Sequence, residues 1–385
     1  MFKIYTKKFN ISNFSRQAQP ITKMCINSQQ IFRRLILFFI YIHGISLDSV
    51  EIDAIEKVVI WGHKLHSHTH SYIHYGFFKG FQSMGYPTYW LDNTDDVSNF
   101  DFSNTLFLTE HNVDQKIPIR TDCFYILHWG CGPQYEPIRK TGNLIFMIYY
   151  NDQVLSDQNA IEYEPFVYFN MSTRFIHLPW ATDLLPEEID KMKEKIRGLS
   201  PKKEVCYTGT IGEVGIGKNT SSIIPFFEAA EKNGFTIKTN DPWSRPLSST
   251  NYQELNQNSL LSPALQGDTQ LRIGYIPCRI FKNISYGCMG ITNSYRVFEL
   301  FKKKIIYDPC PEQLFYKSIE ALKTHNLEKQ YEIMDFIRDH HTYINRIEAI
   351  LEFIRRLEKQ AQLKPSDNYW SFPDYYWKGV FEDLN

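Results

Sequence analysis

Apolar residues in this chain come in short continuous blocks separated by polar, glycine- or proline-bearing segments. Lys57–Trp61 (KVVIW), Thr88–Leu91 (TYWL), Thr105–Leu108, Cys123–Leu127, Leu144–Tyr150 and Phe166–Asn170 are such blocks. Short runs rich in β-branched and aromatic residues read as strands, and strands without polar alternation belong in a parallel sheet covered on both faces. His70–Met84 has helical spacing between the first two, and Gly85 is placed to stop it. A second start follows the charged helix Pro186–Arg197 and the linker Pro201–Lys203. Glu204–Thr208 reads as a strand, 209–217 as a glycine-rich loop, Ser221–Asn233 as a helix and Phe235–Thr239 as a strand. Beyond them, helices over Arg279–Tyr286 and Tyr295–Lys302 alternate with strands over Met289–Thr292 and Lys304–Tyr307. Apolar spacing makes Glu312–Glu358 almost wholly helical.

Two successive units of alternating strand and helix predict an α/β fold with two Rossmann-like domains facing across a cleft. The expected division is an N-terminal extension over 1–56, a first domain over 57–200, a second over 201–340, and a C-terminal helix and tail over 341–385.

Composition narrows the function classes. The formal net charge of -1 gives no bulk field toward nucleic acid, so a polyanion partner is not expected. Seven scattered cysteines (Cys25, Cys123, Cys131, Cys206, Cys278, Cys288, Cys310) form no C-x-x-C pair, which argues against a disulfide framework or zinc ribbon and for a reducing compartment. The first 34 residues are basic, and the apolar stretch from Leu35 to Leu47 is shorter than the ~20 residues a spanning helix needs. A cytoplasmic protein is expected, with association to a membrane surface through that segment left open.

Ligands of open parallel sheets bind beyond the carboxyl ends of strands, so the chemistry is sought there. Five of the twelve histidines lie between His63 and His74, after the first strand. One of His66, His68 or His70 suits a general base that deprotonates a hydroxyl. A metal site and a solvated, helix-capping loop are the alternatives; no nearby Asp, Glu or Cys completes a familiar zinc pattern. In the second unit, Gly209 and Thr210 open a loop whose backbone can approach a phosphate, although its spacing is neither G-x-G-x-x-G nor a P-loop. The most specific stretch runs from Tyr275 to Ser294. Pro277 precedes a helix that carries Arg279 and Lys282 three apart, on one face, where both can reach a diphosphate. Gly287 ends that helix, and Thr292, Asn293 and Ser294 offer small polar groups beyond the next strand.

The run R-x-F-x-x-x-x-x-G from Arg279, the following strand, and Glu299-Leu300-Phe301 resemble the donor half of GT-B glycosyltransferases, and most nearly the CgeB-like group with a glycosyltransferase family 1-like C-terminal domain. Lys303–Leu314, Leu178–Asp183 and His341-Thr342-Tyr343-Ile344-Asn345-Arg346, which is similar to the family's H-T-Y-x-x-R helix, add to the likeness. It spans about 57–360 and is strongest from 270 to 350. Lys282 departs from it, standing where many members carry a Glu that binds ribose. The resemblance implies a GT-B fold, a nucleotide-sugar donor, an unknown glycan, lipid or protein acceptor, and neither metal nor other cofactor. Arg279 and Lys282 would then stabilise the leaving diphosphate, with Gly209, Thr210, Thr292, Asn293 and Ser294 around the donor. A sugar- or nucleotide-binding protein without catalysis, and a metal hydrolase built on the histidine loop, are the other readings.

Overall fold

The computed structural model describes residues 55–64, 69–128, 132–138, 143–148, 159–213, 218–242 and 244–359. The basic extension, the apolar run 35–47, the chain beyond 359 and two of the loop histidines, His66 and His68, lie outside these residues. Among the described residues no helix is long and apolar enough to cross a membrane.

The molecule is an α/β protein with parallel, Rossmann-like sheets. The first half opens with β1 (Lys57–Trp61) and helix α1 (Thr69–Ser83). It continues through β2 (Thr88–Leu91), β3 (Thr105–Glu110), β4 (Phe124–His128), β5 (Leu144–Ile148), β6 (Ala160–Glu164), β7 (Val167–Asn170) and β8 (Phe175–His177). These strands form one sheet in the order β2-β1-β3-β4-β5-β8-β7-β6. The first six positions pair in parallel, while β6 and β7 are an antiparallel hairpin at the edge. Successive side chains of a strand point to opposite faces. Val58, Ile60, Leu106, Leu108 and Ile126 therefore pack under α1, whereas Val59, Trp61, Phe107, Tyr125 and Leu127 build the core on the other face.

The second half begins after helix α2 (Pro186–Ile196). Its elements are β9 (Lys202–Thr208), α3 (Thr220–Lys232), β10 (Thr236–Asn240), α4 (Ser249–Gln257), β11 (Ser259–Leu261), α5 (Asp268–Arg272) and α6 (Cys278–Ser285). They are followed by β12 (Ile291–Thr292), α7 (Tyr295–Leu300) and β13 (Ile306–Tyr307). Parallel pairing gives β10-β9-β11 and β12-β13, and a bridge between Ala264 and Thr292 joins the two groups.

The tail is almost wholly helical as expected, divided into three helices, α8 (Pro311–Leu322), α9 (Leu327–His340) and α10 (Tyr343–Lys359). The Asn326 side chain caps α9 by accepting from Lys329 N at 2.9 Å. Between α9 and α10, Asn345 Oδ1 accepts from both the amide and the hydroxyl of Thr342. α10 returns to the first half. Tyr343, Ile347, Ile350, Phe353 and Ile354 complete the core under α1, and a Cβ on Gly76 would stand 2.1 Å from the Tyr343 ring, so only glycine permits that approach.

The crossover between halves, 178–185, is held by Arg346. Its side chain is 2 % exposed. Nε donates to the Pro179 carbonyl at 2.8 Å, Nη2 to the Trp180 carbonyl at 3.1 Å and Nη1 to the His340 carbonyl at 3.1 Å. Nη2 also lies 2.9 Å from His341 Nδ1, which accepts from it. Burial lowers the Arg346 pKa to about 10, still far above neutrality. Thr182 adds a backbone bond to the His341 carbonyl and a hydroxyl contact to Ser285 of α6 at 2.7 Å.

Two consequences are measurable. Arg346→Ala leaves the carbonyls of the buried Pro179 and Trp180 without their donor; at about 1–3 kcal/mol for each buried unsatisfied group, urea unfolding should show a loss of about 2 kcal/mol or more. Arg346→Lys should not restore it, because an ammonium lacks the planar fork. The second concerns His341. Burial, reinforced by Arg346, His340 and Lys302, lowers its pKa well below 6.5. The unfolded chain then binds more protons than the folded one as pH falls below about 6.5, so stability is lost in that direction, by at most about 1.4 kcal/mol per pH unit. Urea midpoints at pH 7.5 and 5.5 should separate, and His341→Asn, which can still accept from Arg346, should narrow the gap.

Candidate active site

Among the parallel strands of each sheet the chain reverses its direction of growth at one point, and a crevice opens there between the carboxyl ends of two neighbouring strands. In the first sheet β1 is followed outward by β2 and then by β3 on its other side, so the crevice lies between the ends of β1 and β3. In the second sheet β9 stands between β10 and β11, so the crevice lies between the ends of β9 and β11. Chemistry-bearing side chains gather at both.

At the first, His63 follows β1 with a left-handed backbone, φ 55, a conformation uncommon outside glycine but tolerated by histidine. His63 Nε2 lies 2.5 Å from Glu110 Oε1 at the end of β3. His70, in the first turn of α1, brings Nδ1 to 3.1 Å from Glu110 Oε2, at an angle that leaves this oxygen without a formal hydrogen bond. Glu110 is 1 % exposed. Burial opposes its charge, yet the His63 and His70 contacts hold the carboxyl below the usual range. Behind them, His74 Nδ1 meets the Gly62 carbonyl at 2.9 Å and His74 Nε2 meets His128 Nε2 at 2.9 Å. A carbonyl only accepts, so His74 carries its proton on Nδ1, His128 donates from Nε2, and His128 Nδ1 is left with a bare lone pair. That atom is buried without a hydrogen-bond partner. Burial pushes His128 down to about 3 and lowers His74 as well, so both rings are neutral near pH 7.

At the second crevice stands Arg279. Its Nη1 donates to the Tyr207 hydroxyl at 2.9 Å and to the Leu265 carbonyl at 3.3 Å, and the guanidinium lies over the Tyr207 ring. Among the described residues its Nη2 has no protein acceptor, and no carboxylate lies within ion-pair distance of either Arg279 or Lys282. Lys282 is 3 % exposed. Its Nζ stands 3.3 Å from the centroid of Tyr72, on α1 of the first half, and 3.9 Å from that of Tyr252. Burial lowers its pKa, with Asp183 pulling the other way.

The remaining expected residues fall as follows. The Gly209 amide donates to the Asn240 carbonyl and so is not presented to a ligand; what the residue supplies is room. A Cβ there would meet Arg279 Nη2 at 2.0 Å, and φ is +151°. The exposed Thr210 side chain bonds Asp241. Thr292, Asn293 and Ser294 are buried and their side chains are engaged within the protein. Thr292 Oγ1 donates to the Ala264 carbonyl. Asn293 bonds both backbone groups of Gln266. Ser294 caps α7 by accepting from Val297 N. This trio braces the loop carrying the Leu265 carbonyl. Glu110 went unremarked in the sequence; its signal was a lone carboxylate ending an apolar strand.

The crevices are linked through the protein. His128 packs edge-on against Trp180 with centroids 5.6 Å apart. Trp180 Nε1 donates to the Tyr275 hydroxyl at 3.1 Å, three residues ahead of α6.

No family model matches the chain, and no curated protein does. Solved structures give distant likenesses. A UDP-forming α,α-trehalose-phosphate synthase from Burkholderia xenovorans is 11% identical over 66% of this chain and 74% of its own, with a TM-score of 0.38. A trehalose-6-phosphate synthase is 8% identical over 68% and 74%, again at 0.38. A trehalose-6-phosphate protein from E. coli bound with UDP-2-fluoro glucose is 8% identical over 66% and 73%, at 0.35. Likenesses this distant carry no weight for the chemistry of this chain or for its membership of any family.

Gly209→Ala should destabilise the protein by about 1–3 kcal/mol, the cost of a strained backbone conformation. The part due to the clash with Arg279 should disappear in the Gly209→Ala/Arg279→Ala double variant, as a double-mutant cycle of urea unfolding will read.

Proposed function

We propose that this chain is a glycosyltransferase of GT-B type that takes a sugar from a nucleotide-sugar donor. The observation that carries the proposal is the pair of cations on α6 with no carboxylate within ion-pair distance among the described residues. Buried or half-buried charges are ordinarily paired, and two of like sign on one helix face await an anion. The diphosphate of a nucleotide sugar supplies it. Arg279 is the principal contact, with Nη2 as its free donor. Lys282 adds positive potential from beneath Tyr72 and Tyr252. Together they stabilise the departing diphosphate electrostatically, so no metal is needed there. Gly209 and Thr210 border the donor, while Thr292, Asn293 and Ser294 hold the wall behind Arg279. The acceptor, a glycan, lipid or protein hydroxyl, approaches from the first crevice. There His70, with Glu110 against Nδ1, is placed to act as base through its other nitrogen. The resemblance of Arg279–Phe301 and of the 341–346 segment to the CgeB-like group supports the same reading.

The enclosure of Lys282 between two tyrosines favours a second reading, a protein that binds nucleotide sugars without turning them over. A thermal-shift panel of nucleotide sugars identifies the donor, and transfer or hydrolysis of that donor separates the readings. Arg279→Ala should lower turnover about 10²–10³-fold, the range seen on removal of one preorganised donor from a developing charge. Unchanged kinetics for that variant on the true donor would sink the proposal.

A further inference from the structure

We propose that His63, His70 and Glu110 form a binding site for a divalent transition metal ion of the zinc class. The inference goes beyond sugar transfer and concerns the first crevice alone. One ligand atom from each of His63, His70 and Glu110 lies within 4.8 Å of the others, the nitrogens that face the carboxylate being His63 Nε2 and His70 Nδ1, although His63 and Glu110 are 47 positions apart in the chain. Two imidazoles and one carboxylate are a ligand set of zinc sites that keep a fourth position open. The nitrogens select zinc, cobalt or nickel over magnesium or calcium, and the lack of a thiolate argues against soft monovalent copper.

Three further observations point the same way. Glu110 Oε2 is buried, and the contact it has, at 3.1 Å, is with His70 Nδ1, another of the three ligand groups. His128 Nδ1 is buried without a hydrogen-bond partner, on a ring 5.6 Å from that of His70. The left-handed backbone of His63 turns the chain back at the end of β1, where its ring meets Glu110. Behind the three ligands, His74 and His128 pack edge-on against the His63 and His70 rings and are fixed by the Gly62–His74–His128 hydrogen-bond chain.

The metal and the base role of His70 exclude each other. Coordination through Nδ1 leaves the neutral ring with its proton on Nε2, the nitrogen that would accept the acceptor's proton. An occupied site is therefore a brake on transfer, released by a chelator.

The test uses the full chain, stripped with chelator and dialysed, and metal alone as the probe. Cobalt(II) should produce the visible d–d band of a four-coordinate ion, and zinc should displace it at one ion per chain. Glu110→Gln and His63→Gln should each weaken zinc binding by about 100-fold or more, since even outer-layer partners contribute 10–100-fold. His325→Gln, outside the cluster, should leave it unchanged. Circular dichroism and metal-free melting establish that each variant is folded, and the cobalt spectrum of the unaltered chain decides the question even where a variant is not. Absence of stoichiometric binding, or binding indifferent to Glu110→Gln and His63→Gln, overturns the proposal. Binding, with no donor turnover by the metal-free protein, would uphold the site and overturn the transferase reading; turnover without binding would do the reverse.

Discussion

Arg346 donates to backbone carbonyls on both sides of the passage between halves, at Pro179 and Trp180 on the crossover and at His340 where α9 gives way to α10. Pro179 and Trp180 are buried in a crossover that is neither helix nor strand, and a buried carbonyl without a donor is costly. One planar guanidinium satisfies all three carbonyls while its charge stays enclosed. The charge is tolerable because it is spread over five N–H groups and opposed by carbonyl dipoles and the His341 lone pair. The positions of α6, through Thr182 and Ser285, and of Trp180 depend on this anchoring, and Trp180 in turn touches His128 and Tyr275. Both crevices are thus referred to one crossover.

The crevices differ in charge character. The first holds a carboxylate contacted by two imidazoles with two more behind them; the second holds a guanidinium and an ammonium against aromatic faces, with no carboxylate within ion-pair distance among the described residues. A ligand carrying phosphates at one end and a hydroxyl to be activated at the other would be oriented by that asymmetry alone. Lys282 makes the asymmetry mechanical as well as electrostatic. Its ammonium lies between a tyrosine of each half, so the cation–π attraction couples α1 to α6 in a desolvated place where such contacts are strong.

Much of this was legible in the chain. Continuous apolar runs marked β1 to β5, and the fresh strand at Glu204 marked the second sheet, because parallel strands covered on both faces leave a one-dimensional trace. Phe166–Asn170 marked β7, but its hairpin partner β6 and the short elements α4, β11 and α5 left little trace. β6 is an edge strand with mostly exposed side chains, and the others are set by tertiary contacts such as the Asn283 bond to the Ser262 carbonyl. The tail was legible as helix, but the break at Asn326 left no trace, since apolar spacing runs through it while the cap is a single polar residue. At the second crevice Arg279 was visible from its motif. The engagement of Thr292, Asn293 and Ser294 inside the protein was not, because small polar residues after a strand look the same whether they face a ligand or a neighbouring loop.

Glu110 shows why a site can be half visible. The histidines announce themselves by density along the chain, but what gives them a chemistry is a carboxylate from another strand, delivered by the reversal of strand order between β1 and β3. Local pattern carries no record of that reversal. The same carboxylate can orient an imidazole as a base or join it in holding a cation, and the choice rests on whether the nitrogen facing Glu110 bears a proton or a metal. A proton leaves the far nitrogen of His70 free to accept another; a metal does not. The state of one atom pair, His70 Nδ1 and Glu110 Oε2, therefore decides which chemistry the first crevice can perform, while the cations of the second crevice are unaffected by it.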